Sequence, residues 1–192
     1  MTGNPIPKAL MLAAACLLAA AAPGPQSYRL DASASDLKAR VSFLGIGSKS
    51  ASFPQVEGTV QLDRARPQDM TLDVRIDARK LTATDDLTQA RLKGEKFFWV
   101  EKYPKVRFVG DSLSLSSATK GTVAGRLTAR GVTRPVTLEV SFERPPSQAA
   151  SGDAIALSGK TRIDRTAFGM DAYRLIVGKS VDIELKARLV PR

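Results

Sequence analysis

Apolar and polar residues alternate along most of this chain. Residues 181–189, VDIELKARL, place an apolar side chain at every odd position and a charged side chain at every even position. Residues 71–78, TLDVRIDA, and residues 136–143, VTLEVSFE, follow a similar pattern. Because successive side chains of a strand point to opposite faces, a period of two predicts strands with one buried face and one solvent face.

Weaker alternation predicts further strands. With them the chain has eight, and the additional ones cover residues 37–43, 56–62, 106–110, 123–129 and 155–163. Turn-forming residues such as Pro67 and Gly131 separate most neighbours, and short connections make neighbouring strands antiparallel. Strands with one apolar face each predict an all-β antiparallel fold, which is either a sandwich or a closed barrel with the apolar faces inside.

Two connections are too long for hairpins: residues 80–104 and residues 165–180. In the first, Thr84 or Asp85 can cap a helix, and Gly94 can end it. This predicts a short helical crossover between the third and fourth strands. The aromatic residues that follow the helix are Phe97, Phe98, Trp99 and Tyr103. Aromatic side chains in this place either plug one end of the core or line the mouth of an internal cavity.

The first residues predict a targeting segment rather than part of the fold. An apolar run from Ala9 to Ala22 follows Lys8 and ends before Pro23. This order is typical of a secretory signal peptide, and the run is short for a membrane span, which needs about 20 apolar residues. We therefore predict a cleaved signal over residues 1–22 and one barrel domain over residues 23–192, with an uncleaved anchor as the alternative.

Cys16 is the only cysteine of the chain. Small residues precede it, so a lipid anchor at Cys16 is an alternative, but the apolar run continues beyond it and favours an ordinary residue of the signal. The mature chain would then have no thiol chemistry and no disulfide, and its location would be the periplasm or the medium.

The composition of the chain excludes several kinds of catalytic and metal-binding site. The chain of 192 residues has no histidine, which removes the commonest general base and the commonest metal ligand. Acidic residues of the predicted strands fall on solvent-facing positions, so we expect no catalytic residues, no metal site and no cofactor. The formal net charge is +10, or +9 without Lys8 (10 − 1), which either favours anionic partners or reflects a solvated basic surface. Nucleic acid is not expected, because the basic residues lack interleaved aromatics.

Four segments carry a family resemblance. They are GRLTARGVTRPVTLEV (residues 125–140), LKGEKFFWVEKYPKVRF (92–108), GTVQLD (58–63) and IDRTAFGM (163–170). Together, in their order and spacing, they resemble the YceI-like polyisoprenoid-binding family along nearly the whole chain after the signal. The resemblance implies a lipocalin-like antiparallel barrel closed around a long apolar channel, with an isoprenoid or fatty-acyl ligand inside.

The resemblance also implies which side chains line the channel. Phe97, Phe108 and Phe168 are the positions carried over as tunnel lining, with Met170 as an adaptable contact. The full predicted ligand-binding set is Phe43, Phe53, Val74, Ile76, Leu87, Arg91, Phe97, Phe98, Phe108, Leu127, Phe168 and Met170.

Two places depart from the family pattern. Phe43 stands where members often have a histidine, and TQARL, residues 88–92, stands where they often have Arg-Asp-x-His-Leu. The polar residues that would meet the head of a ligand are therefore changed. Arg91 and Lys93 could hold an anionic head by charge, or they are solvated helix residues.

Three functions are compatible with these patterns. The first is an exported, non-enzymatic carrier that holds a polyisoprenoid or other long-chain amphiphile inside the barrel. The second is a carboxylate-dependent enzyme acting on a lipid substrate, and the third is a filled barrel that serves as an interaction module. Besides a lipid-like ligand, the partners left open are a membrane, a membrane redox protein met transiently, and a second copy in a homodimer.

Overall fold

The computed structural model describes residues 24–63, 65–150 and 152–192, and the predicted signal peptide lies outside them. Within the described residues the chain forms eleven strands and one α-helix, joined in places by short 3-10 turns. Their bounds in chain order are β1 Gln26–Leu30, β2 Asp36–Phe43, β3 Gly47–Ser52, β4 Val56–Leu62, β5 Thr71–Asp77, β6 Thr82–Ala83, α1 Asp86–Lys93, β7 Lys105–Leu115, β8 Lys120–Ala129, β9 Val132–Phe142, β10 Ile155–Asp164 and β11 Val177–Pro191.

Eight of these strands close into an antiparallel barrel. The order around the ring is β1, β4, β5, β7, β8, β9, β10 and β11, and β11 then pairs with β1 through Leu189 and Leu30. The predicted eight-stranded antiparallel barrel is confirmed. Closure gives each ring strand a neighbour on both sides and turns the apolar faces toward one enclosed interior.

The membership of the ring differs from the prediction at one strand. The predicted strand over residues 37–43 is β2, which lies outside the ring, pairs with residues 177–186 of β11 and continues into β3 and β6. β1 occupies the position in the ring that the prediction gave to residues 37–43. Because β11 is 15 residues long, one of its edges pairs with β1 near the end of the strand and with β2 near its start. The sequence of β1, QSYRL, is too short to show a clear alternation.

β7 is longer than its alternating pattern indicates. The prediction of residues 106–110 is too short, because the strand continues to Leu115 with a β-bulge between Gly110 and Ser112. A bulge changes which face the following side chains occupy. The pattern in the sequence therefore ends at the bulge although the strand does not.

The helical crossover is confirmed between β5 and β7. α1 begins after Asp85, whose carboxylate accepts a hydrogen bond from the backbone N–H of Thr88 over 2.8 Å, and it ends at Gly94. Lys49 of β3 donates to the same carboxylate over 2.7 Å, which ties the start of the helix to the β2–β3 hairpin. No helix in the described part of the chain is both long enough and apolar enough to cross a membrane.

The buried core forms two clusters along the barrel. On β8, Leu127 belongs to the first cluster and Val123 to the second. The first cluster also contains Phe97 from the crossover, so it lies toward the end of the barrel near α1. Leu30 and Phe108 pack against both clusters, which places them between the two halves of the interior.

Candidate ligand-binding cavity

The interior of the barrel is hollow. A cavity of about 480 Å³ receives apolar side chains from all eight ring strands. On β11 the lining extends from Val177 to Leu189, a span of roughly 30 Å along the barrel axis at the usual strand rise and tilt. A volume of this order is typical of small-molecule sites, and an elongated shape suits one long, thin ligand.

An aromatic ring lies over a glycine in the middle of the cavity, a place that we call the waist. Phe108 of β7 lines the cavity, and its Cζ atom lies 2.8 Å from the point where a Cβ atom on Gly125 would stand. Gly125 of β8 pairs with Gly110 of β7 beside the β-bulge. Because residue 125 has no side chain, the ring of Phe108 can lie against the backbone of β8 between the two core clusters.

One end of the cavity, which we call the mouth, lies between α1, the β2–β3 hairpin and the loop of residues 171–176. Tyr173 of this loop stacks on Phe97 with 6.1 Å between the ring centroids. The guanidinium carbon of Arg91 lies 5.8 Å from the Tyr173 centroid, and Nζ of Lys96 lies 5.4 Å from it. The mouth therefore presents an aromatic ring flanked by two cations.

A buried cation lies in the wall of the cavity. Arg165, which follows β10, is 3% exposed and donates hydrogen bonds to the carbonyl oxygens of Val177 and Gly178, each over 2.8 Å, and to that of Met170. Burial lowers the pKa of Arg165, while the three carbonyl oxygens replace the water that its guanidinium loses. This set of hydrogen bonds fixes the loop between β10 and β11 against the barrel.

Few acidic side chains reach the cavity. Of the described ones, Asp36 and Asp85 contribute to its lining, and Asp36 is exposed and pairs with Lys38 over 2.6 Å. Hydrogen bonds from Lys49 and then from Thr88 lower the pKa of Asp85 to about 2. A general base needs a pKa near the working pH, so the shift at Asp85 has the wrong direction for that role. Within the described ranges, no three side chains of the metal-binding types come together.

The structure brings most of the predicted ligand-binding residues to one surface. All of them except Phe168 lie on the cavity wall. They are Phe43, Phe53, Val74, Ile76, Leu87, Arg91, Phe97, Phe98, Phe108, Leu127 and Met170. Their contact with a ligand stays a prediction.

Phe168 is not on the cavity wall. It ends the 3-10 turn Arg165–Phe168, is 2% exposed and packs in the core cluster that contains Phe97, so its ring fills space behind the wall rather than in the channel.

Sequence reasoning missed Arg165 and Tyr173. Arg165 stands between the polar residues Asp164 and Thr166, so its sequence context gives no signal of burial. No periodicity places Tyr173, because it lies in an irregular loop.

Comparison with known proteins agrees with this geometry. A family model described as a YceI-like domain matches residues 28–189, which is most of the chain. The chain belongs to the YceI-like family. The resemblance carried by the four sequence segments is thus confirmed. A UPF0312 protein of Pseudomonas savastanoi pv. phaseolicola (strain 1448A / Race 6) is 24% identical over 131 residues, which cover 68% of this chain and 68% of that protein.

Solved structures share the YceI-like barrel. BcnA of Burkholderia cenocepacia superposes with a TM-score of 0.73 and 22% identity, covering 83% of this chain and 98% of that chain. A polyisoprenoid-binding domain from Saccharophagus degradans, implicated in plant cell wall breakdown, superposes with a TM-score of 0.67 and 16% identity, covering 87% of this chain and 99% of that one. At these identities the likeness shows the fold.

Proposed function

We propose that this protein binds lipid and holds a polyisoprenoid or another long-chain amphiphile inside its barrel. The observation that carries the proposal is the continuous apolar cavity that follows β11 from Val177 to Leu189. Each methylene group buried in such a cavity contributes about 0.8 kcal/mol, so a long hydrocarbon chain can bind firmly with few polar contacts. The polyisoprenoid-binding domain of Saccharophagus degradans has the same fold, which favours an isoprenoid among such chains.

The mouth supports a fixed orientation of the ligand. Its chain would lie in the barrel and its head would lie beside Tyr173, where Arg91 and Lys96 face the ring. Guanidinium and ammonium groups donate charge-assisted hydrogen bonds to phosphate and carboxylate oxygens. An anionic head is therefore the group that these residues favour.

The protein would act as a carrier outside the cytoplasm. The apolar run from Ala9 to Ala22 after Lys8 supports export to the periplasm. In an aqueous compartment an apolar chain of this kind needs a shield from water. A closed barrel with an apolar interior would provide that shield during transport.

The two alternative functions fit the geometry less well. A filled barrel that serves as an interaction module would have no cavity, whereas this interior holds about 480 Å³ of space. An enzyme that uses a carboxylate base would need an acidic side chain with a raised pKa on the wall, and the pKa of Asp85 is lowered instead. We therefore propose binding without a catalytic step.

A titration with isoprenoid alcohols of increasing length tests this proposal. The alcohols are delivered from cyclodextrin to the protein, and the bound fraction is measured after gel filtration, with fatty acids of matched length in parallel. We expect saturable one-to-one uptake whose affinity rises with chain length until the chain fills the cavity. Absence of uptake, or an affinity independent of chain length, would contradict the proposal. The fatty acid series shows whether an acyl chain with an anionic head also binds.

A further inference from the structure

The exposed apolar side chains of this protein are not spread evenly. Among the described residues, the large apolar side chains with high exposure are Leu44, Ile46, Leu87, Leu115, Tyr173 and Leu175. All of them except Leu115 belong to the three elements that surround the mouth. Leu175 is 99% exposed and Ile46 is 95% exposed, and both stand outside the cavity lining. A group of exposed apolar side chains around an opening is typical of a surface that meets an apolar partner.

Hydrogen bonds join the three elements into one edge, which we call the rim. The backbone N–H of Leu44 donates to the carbonyl oxygen of Ile176 over 2.7 Å, so the tip of the β2–β3 hairpin is held to the loop of residues 171–176. The Lys49–Asp85 ion pair, at 2.7 Å, holds the hairpin to α1. The exposed apolar side chains therefore stand on a single connected structure.

Two residues of the rim have backbone conformations that their side chains disfavour. Leu44 has a φ of 53° and Tyr173 a φ of 57°, in the left-handed region that glycine and asparagine occupy more easily. Leu44 is also more than half exposed, so little burial offsets the unfavourable backbone. Folding alone would favour a small or polar residue at Leu44, which points to a contact outside the fold.

Basic side chains lie near the exposed apolar side chains of the rim. Arg91 and Lys96 flank Tyr173, and neither forms a salt bridge with a carboxylate of the described residues. The rim as a whole carries more basic than acidic side chains, in a chain with a net charge of +10. Counted together with the residues that adjoin it, over 43–49, 85–96 and 171–179, the rim has six basic and four acidic side chains. Such a surface is attracted to anionic headgroups.

We propose that the rim docks on the surface of a lipid bilayer that contains anionic lipids, with Ile46 and Leu175 inserted between the headgroups. The proposal rests on the proposed function, because docking places the mouth against the bilayer and lets a long chain pass into the cavity without crossing water. Binding of this kind combines the burial of a few apolar side chains with the attraction of cations to anionic lipid.

A bilayer fits the rim better than a protein partner or a second copy does. The exposed apolar residues are divided among the hairpin tip, α1 and the loop of residues 171–176. A stable protein interface buries about 1,600 Å² of closely matched surface. A fluid lipid surface needs no matching shape, so isolated protruding side chains are sufficient for it.

Site-specific labels test the docking. An environment-sensitive fluorophore is attached to the full chain at Ile46→Cys or, as the matched control, at Leu115→Cys, in a Cys16→Ser background because Cys16 is the only native cysteine. Vesicles contain phosphatidylcholine alone or phosphatidylcholine with phosphatidylglycerol. We expect a blue shift at position 46 with the anionic vesicles, a smaller shift with the neutral ones, and none at position 115. Both labelled proteins carry the same residues before 24, so any association with vesicles that those residues cause is common to the two.

Lipid transfer tests whether docking serves the cavity. The double variant Ile46→Ser/Leu175→Ser changes the tips of the rim and leaves the cavity wall unchanged. We expect its uptake of a polyprenol from cyclodextrin to equal that of the wild type. Its extraction of the same polyprenol from anionic vesicles should fall by about tenfold or more, because two apolar anchors are lost.

The outcomes separate the two proposals. No shift at position 46 with either kind of vesicle, in a protein that takes up polyprenol, would overturn the docking and leave the proposed function standing. Failure to take up either polyprenols or fatty acids from any source would contradict the proposed function, and the label would still decide the docking. A shift that grows with protein concentration in the absence of vesicles would assign the rim to a second copy and overturn the docking.

Discussion

Nη2 of Arg165 donates a hydrogen bond to the carbonyl oxygen of Val177 over 2.8 Å. The same guanidinium group donates to Gly178 and Met170, so one buried side chain joins the end of β10 to the beginning of β11. The loop between these strands forms one side of the mouth. The position of that side therefore depends on a buried cation that is held by backbone carbonyl groups.

Replacing this cation should destabilise the protein. Arg165→Met removes the donor from one buried and two half-buried carbonyl oxygens and leaves a cavity in its place, and we expect the free energy of unfolding to fall by about 3 kcal/mol. Arg165→Lys should recover only part of the loss, because an ammonium group lacks the planar fork that reaches three acceptors. The control is Arg162→Met on the solvent face of β10, with an expected loss below about 1 kcal/mol. Urea denaturation measures both, and equal losses at residues 162 and 165 would contradict the assignment.

A methyl group at Gly125 should disturb the waist of the cavity. Its Cβ atom would lie 2.3 Å from the carbonyl oxygen of Val109 and 2.8 Å from Cζ of Phe108, so the backbone must shift. We expect Gly125→Ala to lower the free energy of unfolding by about 2 kcal/mol or more. Gly47→Ala, where the nearest atom is 3.8 Å away, is the control and should change it by less than about 0.5 kcal/mol. Similar values for the two variants would argue against a tight waist.

A large side chain on the cavity wall should block the ligand without unfolding the barrel. Val136 lines the cavity, and Thr137 on the same strand is exposed to solvent. We expect Val136→Trp to weaken binding of a long polyprenol by about tenfold or more, since the indole takes up space that the chain needs. Thr137→Trp should bind like the wild type, and both variants should unfold cooperatively on heating. If both variants keep wild-type affinity, the ligand lies outside the barrel.

Because Lys49 and Asp85 form an ion pair at the mouth, we expect the stability of the protein to fall in acid. The pKa of Asp85 is lowered from its ordinary value of 3.8 to about 2 in the folded protein, chiefly by the hydrogen bond from Lys49. Because the folded pKa is the lower one, the stabilisation from the carboxylate is complete above about pH 4 and is lost as the pH falls through about 2.

Asp85→Asn isolates this effect, because asparagine caps a helix nearly as well as aspartate but carries no charge. We expect the variant to be less stable than the wild type at about pH 6, and we expect this difference to shrink below about pH 4 and to disappear only below about pH 2. Urea denaturation over a pH series measures the difference. A gap between the two proteins that stays constant on acidification would show that the charge of Asp85 does not stabilise the fold.

The antiparallel strands and their buried faces could be predicted because strand parity is local, whereas the family resemblance was needed to choose a closed barrel over a sandwich. The alternation of apolar and polar residues indicates the buried face of a strand within a few residues, as in residues 181–189. Short turns then make neighbouring strands antiparallel. The ring membership of β1 could not be predicted in the same way. It depends on how the length of β11 is divided between two neighbours that lie far away in the sequence.

The candidate site was predictable to the extent that it consists of apolar wall. Residues such as Ile76 and Leu127 follow from parity, and the aromatics after α1 follow from the family resemblance. The roles of Arg165, Ile46 and Leu175 could not be predicted from the sequence, because they depend on the geometry of loops. Phe168 was misplaced for a related reason, since a 3-10 turn directs its ring into the core behind the wall.

Native mass spectrometry of the protein purified without detergent from a bacterial host tests the central claim most directly. The binding proposal predicts a mass excess equal to one long-chain amphiphile per chain, which organic solvent releases and which Val136→Trp lacks while Thr137→Trp retains it. A wild-type protein with the mass of the bare chain, both as purified and after incubation with polyprenols and fatty acids, would contradict it.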